Sequence, residues 1–261
     1  MRIVGIGHSH IISVRHAAAV AKLTLDRLGI SVETVWVGDP KFHPYRIRDD
    51  AAGIDGFLLA PDLRKSIIEA VEGADSVFLC SGGNAHNIFG LVNHPRPFDF
   101  VLESNAGLPL HPEYEEIPSG IVAAALANQG GFPESVWLIN ALNALIDKPL
   151  VQCESPPPVP STHYIEENAG PFYEKILQYG VTPAQVRYKL WRLHSELLQR
   201  ECKALNVGFI SCPSSMIDGN GFLVERGWNN DATHANQLYG QKLIEQIVQL
   251  KVPSFGLPET A

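Results

Sequence analysis

The chain has 261 residues, 45% of them hydrophobic and 18% charged, which is enough apolar material to fill a sizeable core and a length that suits one large domain. Its net charge of −8 at pH 7 comes with no basic cluster to offset it, which argues against nucleic-acid and acidic-membrane partners. No apolar run reaches membrane-spanning length and the first strand signal starts at residue 2, leaving no room for a signal peptide, so a cytoplasmic, soluble protein is expected.

Arg2-Ile3-Val4-Gly5-Ile6 reads as a buried strand, and Gly7-His8-Ser9-His10 follows it as a turn. Val14, Ala18, Ala21, Leu25 and Leu28 then recur at three and four residues, which predicts one helix ending at Gly29. A second strand runs from Val32 to Val37 and stops at Gly38-Asp39-Pro40. Residues 41–60 lack periodicity and read as a surface excursion. Asp62 is expected to cap a helix with Leu63, Ile67 and Val71 on one face. Ser76–Cys80 is a third strand, running into the turn Ser81-Gly82-Gly83-Asn84.

Residues 93–119 look irregular apart from a short strand at 100–102. Helical spacing returns at Ile121–Leu126 and at Leu138, Leu142 and Leu145. Pro149–Cys153 is a fourth strand, closed by three prolines. One short helix is expected within 166–179. Thr182-Pro183-Ala184-Gln185 reads as a capped start of a helix reaching about Asn206. Val207–Cys212 is a fifth strand, and a loop to Asp231 leads into a last helix that holds His234, Leu238, Ile244, Ile247 and Val248. Trp191 and His194, on the long helix, read as packing and surface residues. The four cysteines, at 80, 153, 202 and 212, have no metal-ligand spacing and read as buried thiols. Strands alternating with helices predict an α/β protein, a three-layer α/β/α sandwich on a five-stranded parallel, flavodoxin-like sheet. A single domain over 1–261 is expected, with an insertion around 93–130.

Three features at strand ends could carry chemistry. Ser9 stands at a strand-to-helix turn, where the helix aims its N–H groups and positive dipole end. Asn84 offers an amide donor after the third strand. Asp231 and His234, three residues apart where a loop enters a helix, can share a surface, so that the carboxylate orients the imidazole while its other nitrogen reaches a hydroxyl.

These blocks resemble those of the SGNH, or GDSL, hydrolases. Gly7-His8-Ser9, Gly38, Gly82-Gly83-Asn84 and Asp231-Ala232-Thr233-His234 follow that family's order, each at the corresponding strand end. The chain departs from the pattern in having His8 before the serine and Ala85 after Asn84, where the family carries aspartates. The resemblance implies an SGNH-type fold and a serine esterase acting through an acyl-enzyme. Ser9 would be the nucleophile, His234 the base and Asp231 its partner. The Ser9 N–H, the Gly38 N–H and the Asn84 side chain would form the oxyanion hole, with Gly53 and Gly56 as other candidates for the second donor. It implies no metal and no cofactor, and a small-molecule or glycan ester substrate such as an O-acetylated carbohydrate. His8, His10, Gly83 and His86 are candidates to line the substrate pocket. Three other readings stay open: acyl transfer instead of hydrolysis, a metal-dependent hydrolase using His8, His10 and His86 with Asp231 and His234, and a non-catalytic binder.

Overall fold

Alternate residues of the central strands pack into two separate cores. In β1 (Arg2–Gly7), Ile3 faces one core while Val4 and Ile6 face the other, and in a later strand Phe78 and Cys80 oppose Val77 and Leu79 in the same way. This is the period-two pattern of a sheet buried on both faces. The computed structural model describes residues 1–51, 53–82, 84–129, 131–253 and 255–257. Helices α1 (Ile11–Val20) and α2 (Lys22–Arg27) follow β1 and lead to β2 (Ser31–Trp36). An antiparallel ribbon, β3 (Arg46–Arg48) with β4 (Phe57–Leu59), precedes α3 (Pro61–Val71) and β5 (Ser76–Cys80). Next come α4 (Ala85–Gly90), the short pair β6 (Phe98–Asp99) and β7 (Glu115–Glu116), α5 (Ser119–Ala127) and α6 (Phe132–Leu145). Then β8 (Leu150–Cys153), α7 (Thr162–Glu167), α8 (Tyr173–Tyr179), α9 (Ala184–Ala204), β9 (Gly208–Ile210) and α10 (Gln237–Gln249) complete the chain.

The main sheet has the order β2-β1-β5-β8-β9 and is parallel throughout. One core joins the sheet to α3, α5, α6 and α9, and the other joins it to α1, α2 and α10, giving the expected three α/β/α layers. Close approach requires a glycine at Gly5 and at Gly240, among other positions. A Cβ on Gly5 would stand 2.4 Å from the Phe78 ring, and one on Gly240 would stand 2.2 Å from the Ser13 carbonyl oxygen. The second contact seats α10 against α1, so the helices beside the N-terminal and C-terminal candidate residues touch backbone to backbone.

Several local expectations change. The excursion at 41–60 contains the β3–β4 ribbon, whose three-residue strands are too short to show periodicity. The first helix is interrupted at Ala21 and becomes α1 and α2. Ala60, not Asp62, is the N-cap of α3; Pro61 opens the helix and Asp62 sits in its first turn, where its charge suits the dipole. The 100–102 segment is not a strand; the pairing lies at β6. The 166–179 segment holds the end of α7 and all of α8, broken around Gly170, whose φ is +52°. Pro183, not Thr182, precedes α9, and the Thr182 carbonyl accepts from Arg187 Nε at 2.8 Å. The fifth strand is shorter than expected, and α10 starts at Gln237, leaving His234 in the loop before it. Trp191 and His194 are both buried. The cysteines are free and buried.

The 93–119 segment is fastened by a buried ion pair. Lys189 Nζ on α9 donates to both Asp99 carboxylate oxygens at 2.9 Å and to the Pro109 carbonyl at 2.8 Å. Asp99 also accepts from the backbone N–H groups of Phe100 and His111. The two charges are 0% and 1% exposed. Breaking such a pair by removing one partner costs about 3–5 kcal/mol, because the other charge stays buried alone. Among the described residues, no helix is long and apolar enough to cross a membrane.

Candidate active site

The strand order reverses at β1: β2 lies on one side and β5 on the other. Loops leaving adjacent strands in opposite directions open a crevice at their carboxyl ends, where open α/β sheets bind ligands. Gly7 pairs with Trp36 and with Cys80 across the sheet. Ser9, Gly38 and Gly82 each stand two residues past that aligned row, and Ser9 and Gly82 line the same cleft. The α1 helix begins at Ile11 and directs its N-terminal end at Ser9.

His234 reaches this crevice from the other end of the chain. Its Nε2 lies 2.8 Å from Ser9 Oγ, and its Nδ1 lies 2.9 Å from Asp231 Oδ1. The local sequence builds this arrangement. Asp231 Oδ1 also accepts from the Thr233 and His234 backbone N–H groups, both at 2.8 Å, folding residues 231–234 into a tight turn. Asn229 Nδ2 donates to Asp231 Oδ2 at 2.6 Å. Burial opposes ionisation of Asp231. The hydrogen bond and charge of His234, the Thr233 N–H and Asn229 outweigh it and hold this carboxyl well below the usual range. Asn236 fixes the exit of the turn. Its amide donates to the Arg226 and Trp228 carbonyls, and its oxygen caps α10 by accepting from the Leu238 N–H.

Neither the Ser9 nor the Gly38 N–H donates to a carbonyl among the described residues. Asn84 stands at the N-cap position of α4 without a side-chain capping bond, at φ −113° and ψ −2°, a right-handed conformation that makes no demand for glycine. Its Oδ1 accepts from Asn87 Nδ2 at 3.0 Å, and its own amide nitrogen has no acceptor among the described residues.

A cleft of about 160 Å³ opens beside Ser9, lined by His8, His10, Asn84, Ala85 and Ile88 and by Gly131, Glu134 and Ser135 around the start of α6. Of the expected pocket residues, His8 and His10 therefore line it. Gly83 lies outside the described residues, and Gly38 is not among the lining residues. His86 is a correction: it is 3% exposed and packs against His194 with ring centroids 5.3 Å apart, behind the cleft wall. Burial drives its pKa well down, with the nearby rings of His194 and His10 adding to the effect. The three histidines of the metal alternative also face different partners. His8 packs on Tyr45, His10 on His234 and His86 on His194. No group of three or more His, Cys, Asp or Glu among the described residues is arranged to hold a metal ion.

Sequence reasoning overlooked Glu134, Tyr45, Asn229 and Asn236. Asn236 carried a readable signal, a capping residue just before an apolar helical repeat. Glu134 carried only an ambiguous one, since an acid in a first helical turn ordinarily answers the dipole. Tyr45 donates its hydroxyl proton to Glu134 Oε1, a contact spanning 89 residues that no local pattern announces.

No protein-family model matches the chain, and no curated protein matches it in sequence. Among solved structures, a GDSL-like lipase from Bacteroides thetaiotaomicron is similar at TM-score 0.43 and 11% identity, over 97% of this chain and 87% of that one. A gut microbial diltiazem-metabolizing enzyme is similar at TM-score 0.47 and 12% identity, over 97% of this chain and 47% of that one. A variant of an acetyl xylan esterase from Geobacillus stearothermophilus gives TM-score 0.34 and 12% identity, over 99% and 97%.

Proposed function

We propose that the chain is a serine ester hydrolase of the SGNH type. One observation carries the reading: an unbroken line of short contacts from Asp231 Oδ1 to His234 Nδ1 at 2.9 Å and from His234 Nε2 to Ser9 Oγ at 2.8 Å. In that line Asp231 holds the imidazole with Nδ1–H toward the carboxylate, so Nε2 can take the Ser9 proton. Ser9 Oγ then bonds to the ester carbonyl carbon. His234 returns the proton to the departing alcohol as the C–O bond breaks, leaving an acyl-enzyme. Water, deprotonated by His234, releases the acid and restores Ser9. The oxyanion formed in each half would be held by the Ser9 and Gly38 N–H groups and the Asn84 amide.

The small volume of the cleft and its Ala85 and Ile88 lining support a short acyl group. A small-molecule or glycan ester is the corresponding substrate class. The test is a fluorophosphonate probe together with p-nitrophenyl esters of increasing acyl length. The wild type should be labelled, turn over the acetyl ester fastest, slow with each added pair of carbons, and keep its rate in EDTA. An unlabelled, inactive wild type, or one inactivated by the chelator, would end the proposal.

A further inference from the structure

We infer that Glu134 selects the alcohol part of the ester, accepting a hydrogen bond from a hydroxyl next to the scissile bond and turning anionic alcohols away. The preferred substrate is then a short acyl ester of an uncharged polyol. The inference rests on Ser9 being the nucleophile, as proposed above.

Glu134 lines the same cleft as Ser9 and Asn84, from the first turn of α6. One of its oxygens is committed to holding the side chain still. Tyr45 donates its hydroxyl proton to Oε1, and Arg46 Nη2 stands 3.6 Å from that same oxygen. Arg46 is itself packed over the rings of Phe57 and Trp137. The second oxygen, Oε2, has no hydrogen-bond donor among the described residues. A fixed carboxylate with one open oxygen at the rim of a reaction cleft is an acceptor awaiting a donor. A short acyl group carries no such donor, so the donor must belong to the alcohol.

Charge narrows the class further. The described residues lining the cleft include no lysine or arginine. His8 adds no positive charge at neutral pH, because burial lowers its pKa against the smaller opposing pull of Glu134. A carboxylate or phosphate on the alcohol would therefore bring acceptor oxygens, and no proton to donate, up to the open Oε2 of Glu134. Arg46 beside Oε1 weakens the field felt at Oε2 by an ion of either sign, while the lone pairs of Oε2 stay available for a hydroxyl.

The experiment compares kcat/KM of the full chain for four acetyl esters: glycerol monoacetate, propyl acetate, O-acetyl-lactate and acetylcholine. For the wild type, the glycerol ester should exceed the propyl ester by about 10- to 100-fold, the range of a hydrogen bond to a charged group, with the lactate ester slowest. In Glu134→Leu the glycerol-to-propyl ratio should fall about ten-fold, mainly through KM. In Glu134→Gln, which keeps an acceptor for Tyr45 and hence the local fold, the lactate ester should gain on the propyl ester. An unchanged glycerol-to-propyl ratio in Glu134→Leu, an unchanged lactate-to-propyl ratio in Glu134→Gln, or acetylcholine as the best wild-type substrate would overturn the inference. A wild type that is labelled by fluorophosphonate yet shows any of these results loses only the role of Glu134. A wild type that is neither labelled nor active loses the serine mechanism itself.

Discussion

His234 and His194 are the same side chain in opposite settings, and each has a second histidine ring beside it. His234 is about one quarter exposed, hydrogen-bonded on both nitrogens to Ser9 and Asp231, and packed on His10. His194 is fully buried between His86 and Phe132. Burial pulls its pKa down to about 4, with the Gly82 backbone opposing in part. The first ring has a carboxylate on one nitrogen and a hydroxyl on the other. The second can be charged only by taking an ion into an apolar core. What separates a base from a packing residue is therefore the partner on its far nitrogen.

The contrast breaks hardest at the reacting hydroxyl. Ser9→Ala should lower kcat/KM for the acetyl ester by about 10⁶-fold, with His234→Ala close behind, since the members of such a unit fail together. Asp231→Asn keeps the shape but withdraws the charge that fixes the tautomer of His234, and should cost about 10⁴-fold. A Ser9→Ala enzyme that hydrolyses esters at the wild-type rate would mean the short contacts have no part in the chemistry. Steady-state rates on p-nitrophenyl acetate decide the matter.

One step smaller is Asn84. With a right-handed backbone at this position, glycine brings no relief of strain and only removes the amide. Asn84→Gly should lower kcat by about 10²–10³-fold with little change in KM, because its partner forms only in the transition state. A variant with normal kcat and a reduced melting temperature would make Asn84 a capping residue and nothing more.

The smallest effect sharpens the buried side of the comparison. His194 binds its proton less readily in the folded chain, with a pKa of about 4, than in the unfolded chain at about 6.5. Between those values the unfolded state holds more protons, so acid favours unfolding. The contribution of His194 is full above pH 6.5, falls as the pH drops toward 4, and levels off below. The slope approaches about 1.4 kcal/mol per pH unit, with His86 adding a contribution of the same sign. Melting temperatures from pH 4.5 to 7.5 test this. The fall should be shallower in His194→Leu, and an identical fall in both proteins would contradict the argument.

The layers of the fold were legible because they depend on local alternation: Ile3, Val4 and Ile6 already divide themselves between two faces in a six-residue string. The Asp231–His234 spacing was legible for a similar reason, since one turn of chain builds it. Features made by distant partners were not. Lys189 looks like an ordinary cation in an amphipathic helix, and only Asp99, 90 residues away, explains its burial. His86 carries no mark distinguishing a wall from the space behind it. Glu134 reads as a dipole partner until Tyr45 and Ser9 are seen beside it. In each case the deciding neighbour comes from a segment whose position is set by tertiary packing, which short-range pattern does not encode.

Ser9 and His234 are 225 residues apart in the chain, and on the proposed mechanism this separation governs when chemistry can start. At about 5–20 residues per second, synthesis delivers the hydroxyl on the order of 10–45 s before the imidazole that activates it. The close approach of Ser13 and Gly240 seats the last helix against the first, beside the point where the two meet. On the proposed mechanism the nascent chain carries an inert serine throughout that interval, and hydrolysis switches on only when the last helix docks against the first.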